Sequence, residues 1–133
     1  MNTKVLMRIS ALFLGVMGVV LSFLPDEIAQ YLGVEQNVIT ITFMKLMGAL
    51  YLGFAILNWM ANGTLIGGIY NRPIAIGNLM HFGVGALSLV KVLSSLPTHS
   101  TVFILLTVVY SLLAIGFGYV FRTNPSKPVH SQQ

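Results

Sequence analysis

The stretch RPIAIGNLMHFGVGALSLVK, Arg72 to Lys91, is apolar enough to lie in lipid, yet it carries an asparagine, a histidine and a lysine. Histidine can exchange a proton near neutral pH, accept a hydrogen bond or ligate a metal. A lysine ammonium attracts anions and carbonyl oxygens, and an asparagine amide both donates and accepts. At about 100° per residue, Gly77, His81, Gly85 and Ser88 share one helical face, at spacings of four, four and three. Asn78 and Lys91 fall to either side, so the polar groups lie within an arc of roughly 140°. Glycines share that arc, which predicts that it is turned toward other helices, with room for a bound group. Lys45 repeats the pattern, with Thr42, Gly48 and Ala49 on its side of the helix. The candidate binding residues are therefore His81, Asn78, Lys45 and Lys91. Arg72, at the start of the stretch, and the acidic Glu35 complete the set.

Other chemistry lacks its residues. No Asp or Glu lies in an apolar run, so the embedded carboxylate of a small proton-coupled exporter is missing. His81 is the one histidine within an apolar run, which rules out a bis-histidine haem site in a single chain. A metal site would need His99, in the third loop, to meet His81 from the opposite side of an interface. No nucleophile–base pair and no phosphate-binding glycine loop is visible. The chain has no cysteine, which removes thiol chemistry and thiolate metal sites. These absences argue against an enzyme.

The elements that must position these residues follow from composition. Of 133 residues, 56% are hydrophobic and 8% charged, against about 25% charged in a soluble domain. So little charge cannot cover a surface in water. Crossing the bilayer takes about 20 apolar residues, and four runs qualify, at about 5–24, 39–60, 74–96 and 101–121. The expected fold is all-α: a four-helix transmembrane bundle over 1–122 with short loops, then a flexible tail over 123–133. The first run is long for a signal peptide, and no small-x-small cleavage pattern follows it, so it reads as a retained helix.

Charge sets the expected orientation. Lys4 and Arg8 open the first run, Arg72 sits in the second loop, and Arg122 and Lys127 follow the fourth run. Basic residues favour the cytoplasmic side, so both termini and the second loop are expected inside, in a multi-pass protein of the inner membrane. The net charge of +4 is scattered along the chain, which points to lipid headgroups and topology and not to nucleic acid. All three acids, Asp26, Glu27 and Glu35, then lie outside. Lys45 and Lys91 run against the rule, both toward outer helix ends. A polar cluster in the outer half, with both lysines facing the acids, accounts for them. Snorkelling to the headgroups is the simpler alternative.

The connectors are legible too. In PDEIAQYLGV, Pro25 stops the first helix and starts a short interfacial one, with acids in its first turn and Gly33 as its stop. Asn58 and Trp59 read as an interfacial belt. Pro73 reads as the first residue of the third long helix. Small residues mark close packing at Ala11 with Gly15, Ala49 with Gly53, Gly83 with Gly85, and Ala114 with Gly118. Tyr51, Tyr70, Tyr110 and Tyr119 read as belt or packing residues.

From LNWMANG through GGIYNRPIAIGNLMHFGVGALSLV, the chain resembles small four-helix bacterial membrane proteins of uncharacterised function, broadly DoxX-like. The run Asn58-Trp59-Met60, then Gly68, Tyr70, Arg72, Pro73, Asn78 and His81, carries the likeness. Some members are associated with quinone or redox partners, so the resemblance implies a bundle and adds weight to Arg72, Asn78 and His81. It brings no catalytic residue.

The expected function is a non-catalytic binding or accessory subunit. It would hold a quinone-like or other lipid-like molecule, or a partner's helix, at the polar face. A small oligomeric transporter or channel is the alternative, and an integral membrane enzyme using His81 the third. Membrane lipid and a homo-oligomer or larger membrane complex are the expected partners.

Overall fold

The computed structural model describes residues 3–63, 71–93, 95 and 100–123. Gly68 and Tyr70 of the second loop, His99 of the third, and the tail beyond Thr123 lie outside the described residues. The chain is all-α. Its helices are α1 (Thr3–Phe23), α2 (Pro25–Leu32), α3 (Val38–Ala61), α4 (Arg72–Leu93) and α5 (Ser100–Arg122). All but α2 are long and apolar enough to cross a membrane, the signature of a multi-pass membrane protein. Ends differ from expectation by one to three residues. The difference with consequences is in α4, which stops at Leu93 and not near Leu96.

One unit comprises α1, α2 and α3. Leu24 breaks α1 from α2, because Pro25 lacks the N–H that a continuous helix needs. Proline then suits the first helical position, and Asp26 and Glu27 complement the positive end of α2. Gly33 ends it at φ 66°, a left-handed backbone that disfavours a side chain. Its N–H donates to the Gln30 carbonyl at 3.1 Å, and the Val34 N–H to the Ala29 carbonyl at 2.9 Å. Ala29 and Pro25 are buried while Tyr31 is exposed, so α2 is amphipathic. Asn37 starts α3, its Oδ1 accepting the Thr40 N–H at 2.8 Å.

Helices α1 and α3 pack antiparallel through glycine. A Cβ built on Gly18 would stand 2.9 Å from both the Gly48 carbonyl oxygen and the Leu52 nitrogen. One built on Gly48 would meet the Ser22 nitrogen at 2.8 Å. The backbones therefore touch where neither residue has a side chain, as lipid-embedded helices require. Ala11 is buried in this seam and Gly15 lies against Ala55, as expected of the first helix. In α3, Gly48 and Ala55 form the packing face; the expected pair, Ala49 and Gly53, is exposed. Both pairs sit at spacings that repeat on a helix, and the choice between them belongs to the seam with α1.

The other unit contains α4 and α5, also antiparallel. Ala75, Asn78, Phe82 and Ala86 are the buried residues of α4, and Tyr110, Leu113, Phe117 and Val120 are buried on α5. Phe82 stacks on Phe117, with ring centroids 5.8 Å apart and planes 7° from parallel. Phe82 lies outside the arc of α4 that carries its polar groups and glycines, yet it is fully buried and forms the centre of the packing face. In lipid an apolar face need not be an outer face, because contact with tails and contact with another helix are equally apolar.

Candidate functional site

The α4–α5 seam passes through Asn78, Phe82 and Ala86, so the direction toward α5 is about a quarter turn from His81. His81 therefore sits on the flank of the seam, half-buried. It is the tenth residue of the 22-residue α4 and lies at mid-helix. Antiparallel pairing brings the middle of α5 beside it. The Tyr110 hydroxyl and His81 Nε2 are 3.5 Å apart, a long hydrogen bond in which the tautomer decides which group donates. Phe82 completes a three-ring cluster. Its ring lies edge-on to His81 at 4.9 Å and to Tyr110 at 5.3 Å.

Gly85 makes this arrangement possible. A Cβ there would come within 2.6 Å of the Tyr110 ring carbons Cε1 and Cδ1. Tyr110 lies in the space that any other residue at 85 would fill, and this lets its hydroxyl reach back to His81. Gly83, expected as the partner glycine, borders open space.

Asn78 is fully buried in the seam, and its Nδ2 donates to the Ile74 carbonyl, one turn back, at 2.9 Å. Ser88 is exposed and bonds the Val84 carbonyl at 2.9 Å. The expected single polar face of α4 is thus divided, with Asn78 in the seam, His81 on its flank, and Ser88 and Lys91 on the exposed side.

The remaining candidates stand apart. The Arg72 guanidinium lies over the Phe121 ring, 5.8 Å from its centroid. Nine residues separate it from His81, about 14 Å of helix rise. Lys91 lies about 15 Å the other way, in the last turn of α4. That position gives its ammonium a short path to the headgroups and matches the negative end of the helix. Lys91 is thus only two residues from the end of its helix, because α4 stops at Leu93. In the first unit, Lys45 is exposed on α3, seven residues past Val38 and about 10 Å into the helix. Glu35 is exposed in the loop before α3. Among the described residues Lys45 forms no ion pair with Glu35, Asp26 or Glu27.

Two features escaped sequence reading. Tyr110 looked like one more packing tyrosine, yet its mid-helix position in an antiparallel pair with α4 was the available signal. Asn58, expected in an interfacial belt with Trp59, is fully buried, and its Nδ2 donates to Ser10 Oγ at 3.0 Å. Ser10 in turn donates to the Met7 carbonyl at 3.0 Å. Trp59, one residue on, is 54% exposed.

The arrangement at His81 offers a proton donor and an acceptor beside a buried cluster of rings, at mid-helix in apolar surroundings. It can orient a carbonyl or hydroxyl group. Among the described residues no group of three His, Asp or Glu side chains comes together to hold a metal ion. No protein-family model, curated protein or solved structure matches this chain.

Proposed function

We propose that this multi-pass membrane protein is a non-catalytic binding or accessory subunit of the inner membrane, with both termini cytoplasmic. It holds a lipid-soluble, carbonyl-bearing molecule of the quinone type at the His81 flank of α4–α5. The observation that carries this reading is the His81–Tyr110 pair beside the Phe82–Phe117 stack. Hydrogen-bonding groups at the middle of a lipid-embedded helix are costly unless they are used. Here His81 is only half-buried, so part of its ring stays open to a flat, apolar molecule, while the buried Phe82 ring packs edge-on against it. Neither α4 nor α5 carries an acid, so binding fits better than proton-transfer catalysis. The resemblance to DoxX-like proteins points the same way. Arg72 and Lys91, at opposite ends of α4, belong to the headgroup regions and not to this site.

The test is native mass spectrometry of the protein released gently from its own membrane, reading stoichiometry and added mass. The expected result is a discrete retained molecule in the wild type. Tyr110→Phe removes one hydroxyl, leaves the ring, and should lower retention about fivefold, the equivalent of one hydrogen bond of about 1 kcal/mol. His81→Ala should lower it further. Retention that both variants leave unchanged contradicts the site. An oligomer without added mass assigns the polar flank to subunit packing, and ion or solute flux in liposomes would then decide for the transporter.

A further inference from the structure

On the other unit, Arg8 meets Asn62 at one end of the α1–α3 pair. Arg8 Nε donates to Asn62 Oδ1 at 3.4 Å, while Asn62 Nδ2 donates to the Trp59 carbonyl. Asn62 thus links the guanidinium to the end of α3. With Nε engaged, the two terminal nitrogens of the guanidinium form a fork of the kind that pairs with phosphate. Lys4, one turn earlier on α1, is on the same helical side.

An apolar groove of about 320 Å³ runs away from this end between α1 and α3. Its α1 wall is Leu12, Gly15 and Val19; Ala55, Ile56 and Trp59 form the α3 wall. At about 100° per residue, Arg8 falls at the centre of the arc spanned by the α1 wall, so the groove and the guanidinium are in line. From Arg8 to Val19 the rise is about 16 Å, long enough for much of an acyl chain. Gly15 supplies the floor. A Cβ there would only touch the Ala55 Cβ, at 3.8 Å, so the seam does not require glycine at this position. The half-exposed Trp59 stands where a headgroup-level ring belongs.

We infer that this groove binds one anionic phospholipid, with its phosphate on Arg8 and Lys4 and an acyl chain along Gly15 and Ile56. Two cations at the mouth of an apolar channel complement a molecule with one anionic end and one apolar chain. Zwitterionic lipid fits the channel but gains less from the mouth.

The experiment is native mass spectrometry of protein released from nanodiscs of equal phosphatidylglycerol and phosphatidylcholine, reading the ratio of the two retained. The wild type should favour phosphatidylglycerol. Arg8→Gln should lower that preference about fivefold, and Arg8→Gln with Lys4→Gln about thirtyfold, one step per cation. Arg8→Lys keeps the charge but loses the fork and the Asn62 contact, and should fall between wild type and Arg8→Gln. Arg122→Gln removes the same net charge elsewhere and should leave the ratio unchanged. Gly15→Leu fills the floor and should abolish retention of either lipid with the charges intact. Ile56→Ala, at an exposed wall position, tests the same point without burdening the seam and should weaken retention. Equal losses for Arg8→Gln and Arg122→Gln would show attraction to net charge alone and overturn the site. Full retention in both groove variants would overturn the acyl channel.

Discussion

At the scale of single residues, the α4–α5 site depends on a glycine that touches no ligand. Gly85 leaves the space that the Tyr110 ring occupies. Gly85→Ala should push that ring off His81 and lower retention of the bound molecule about as much as Tyr110→Phe, with His81 and Tyr110 both intact. Unchanged retention would show that Tyr110 need not lie where it does. A second residue-scale prediction concerns Asn58 and Ser10. Their bond ties α1 to α3 away from the glycine crossing, and interhelical polar bonds in bilayers contribute about 1 kcal/mol. Ser10→Ala should destabilise the α1–α3 unit by about that much, read by titrating helicity with denaturing detergent. No signal in the sequence separates Asn58 from Trp59, because both types populate helix ends. Burial of one and exposure of the other come from the face that α1 covers.

At the scale of elements, the helices were legible and their facing was not. Long apolar runs have few alternatives in lipid, so four spans and their approximate ends follow from hydropathy. Pro25 and Gly33 bracket α2 for stereochemical reasons that hold in any surroundings. Which side of each helix meets its neighbour is a different matter. A polar arc marks the inner face only when the outer face is purely apolar and the inner contact needs polar groups. In α4 the contact is made by Phe82 against Phe117, so the polar arc is divided and His81 is left on the flank. The same holds for Ala49 and Gly53, which repeat at a packing period on the wrong side of α3. Among element-scale predictions, Gly33→Ala should cost about 1 kcal/mol or somewhat more, because alanine resists φ 66°. It should appear as faster amide exchange at Val34, whose N–H closes the cap. Exchange equal to wild type would remove the role given to that cap.

At the scale of the whole molecule, the chain is an all-α, multi-pass membrane protein with two distinct packing chemistries. The α1–α3 pair is held by backbone contact at Gly18 and Gly48 and by a buried polar bond. The α4–α5 pair is held by stacked rings. The first needs absent side chains, so Gly48→Val should prevent normal pairing of α1 with α3. Orientation can be read directly, since the chain has no native cysteine to interfere. A membrane-impermeant thiol reagent applied to intact cells should label Gln30→Cys on α2 and spare Thr123→Cys after α5. The reverse pattern would invert the topology drawn from the basic residues. Quinone binding at His81 and Tyr110 is read by the infrared carbonyl band of an isotope-labelled quinone added to the purified protein. The band should be shifted from its position in empty micelles and should return to that position in Tyr110→Phe and in His81→Ala. A band in the wild type identical to that in empty micelles would contradict that binding.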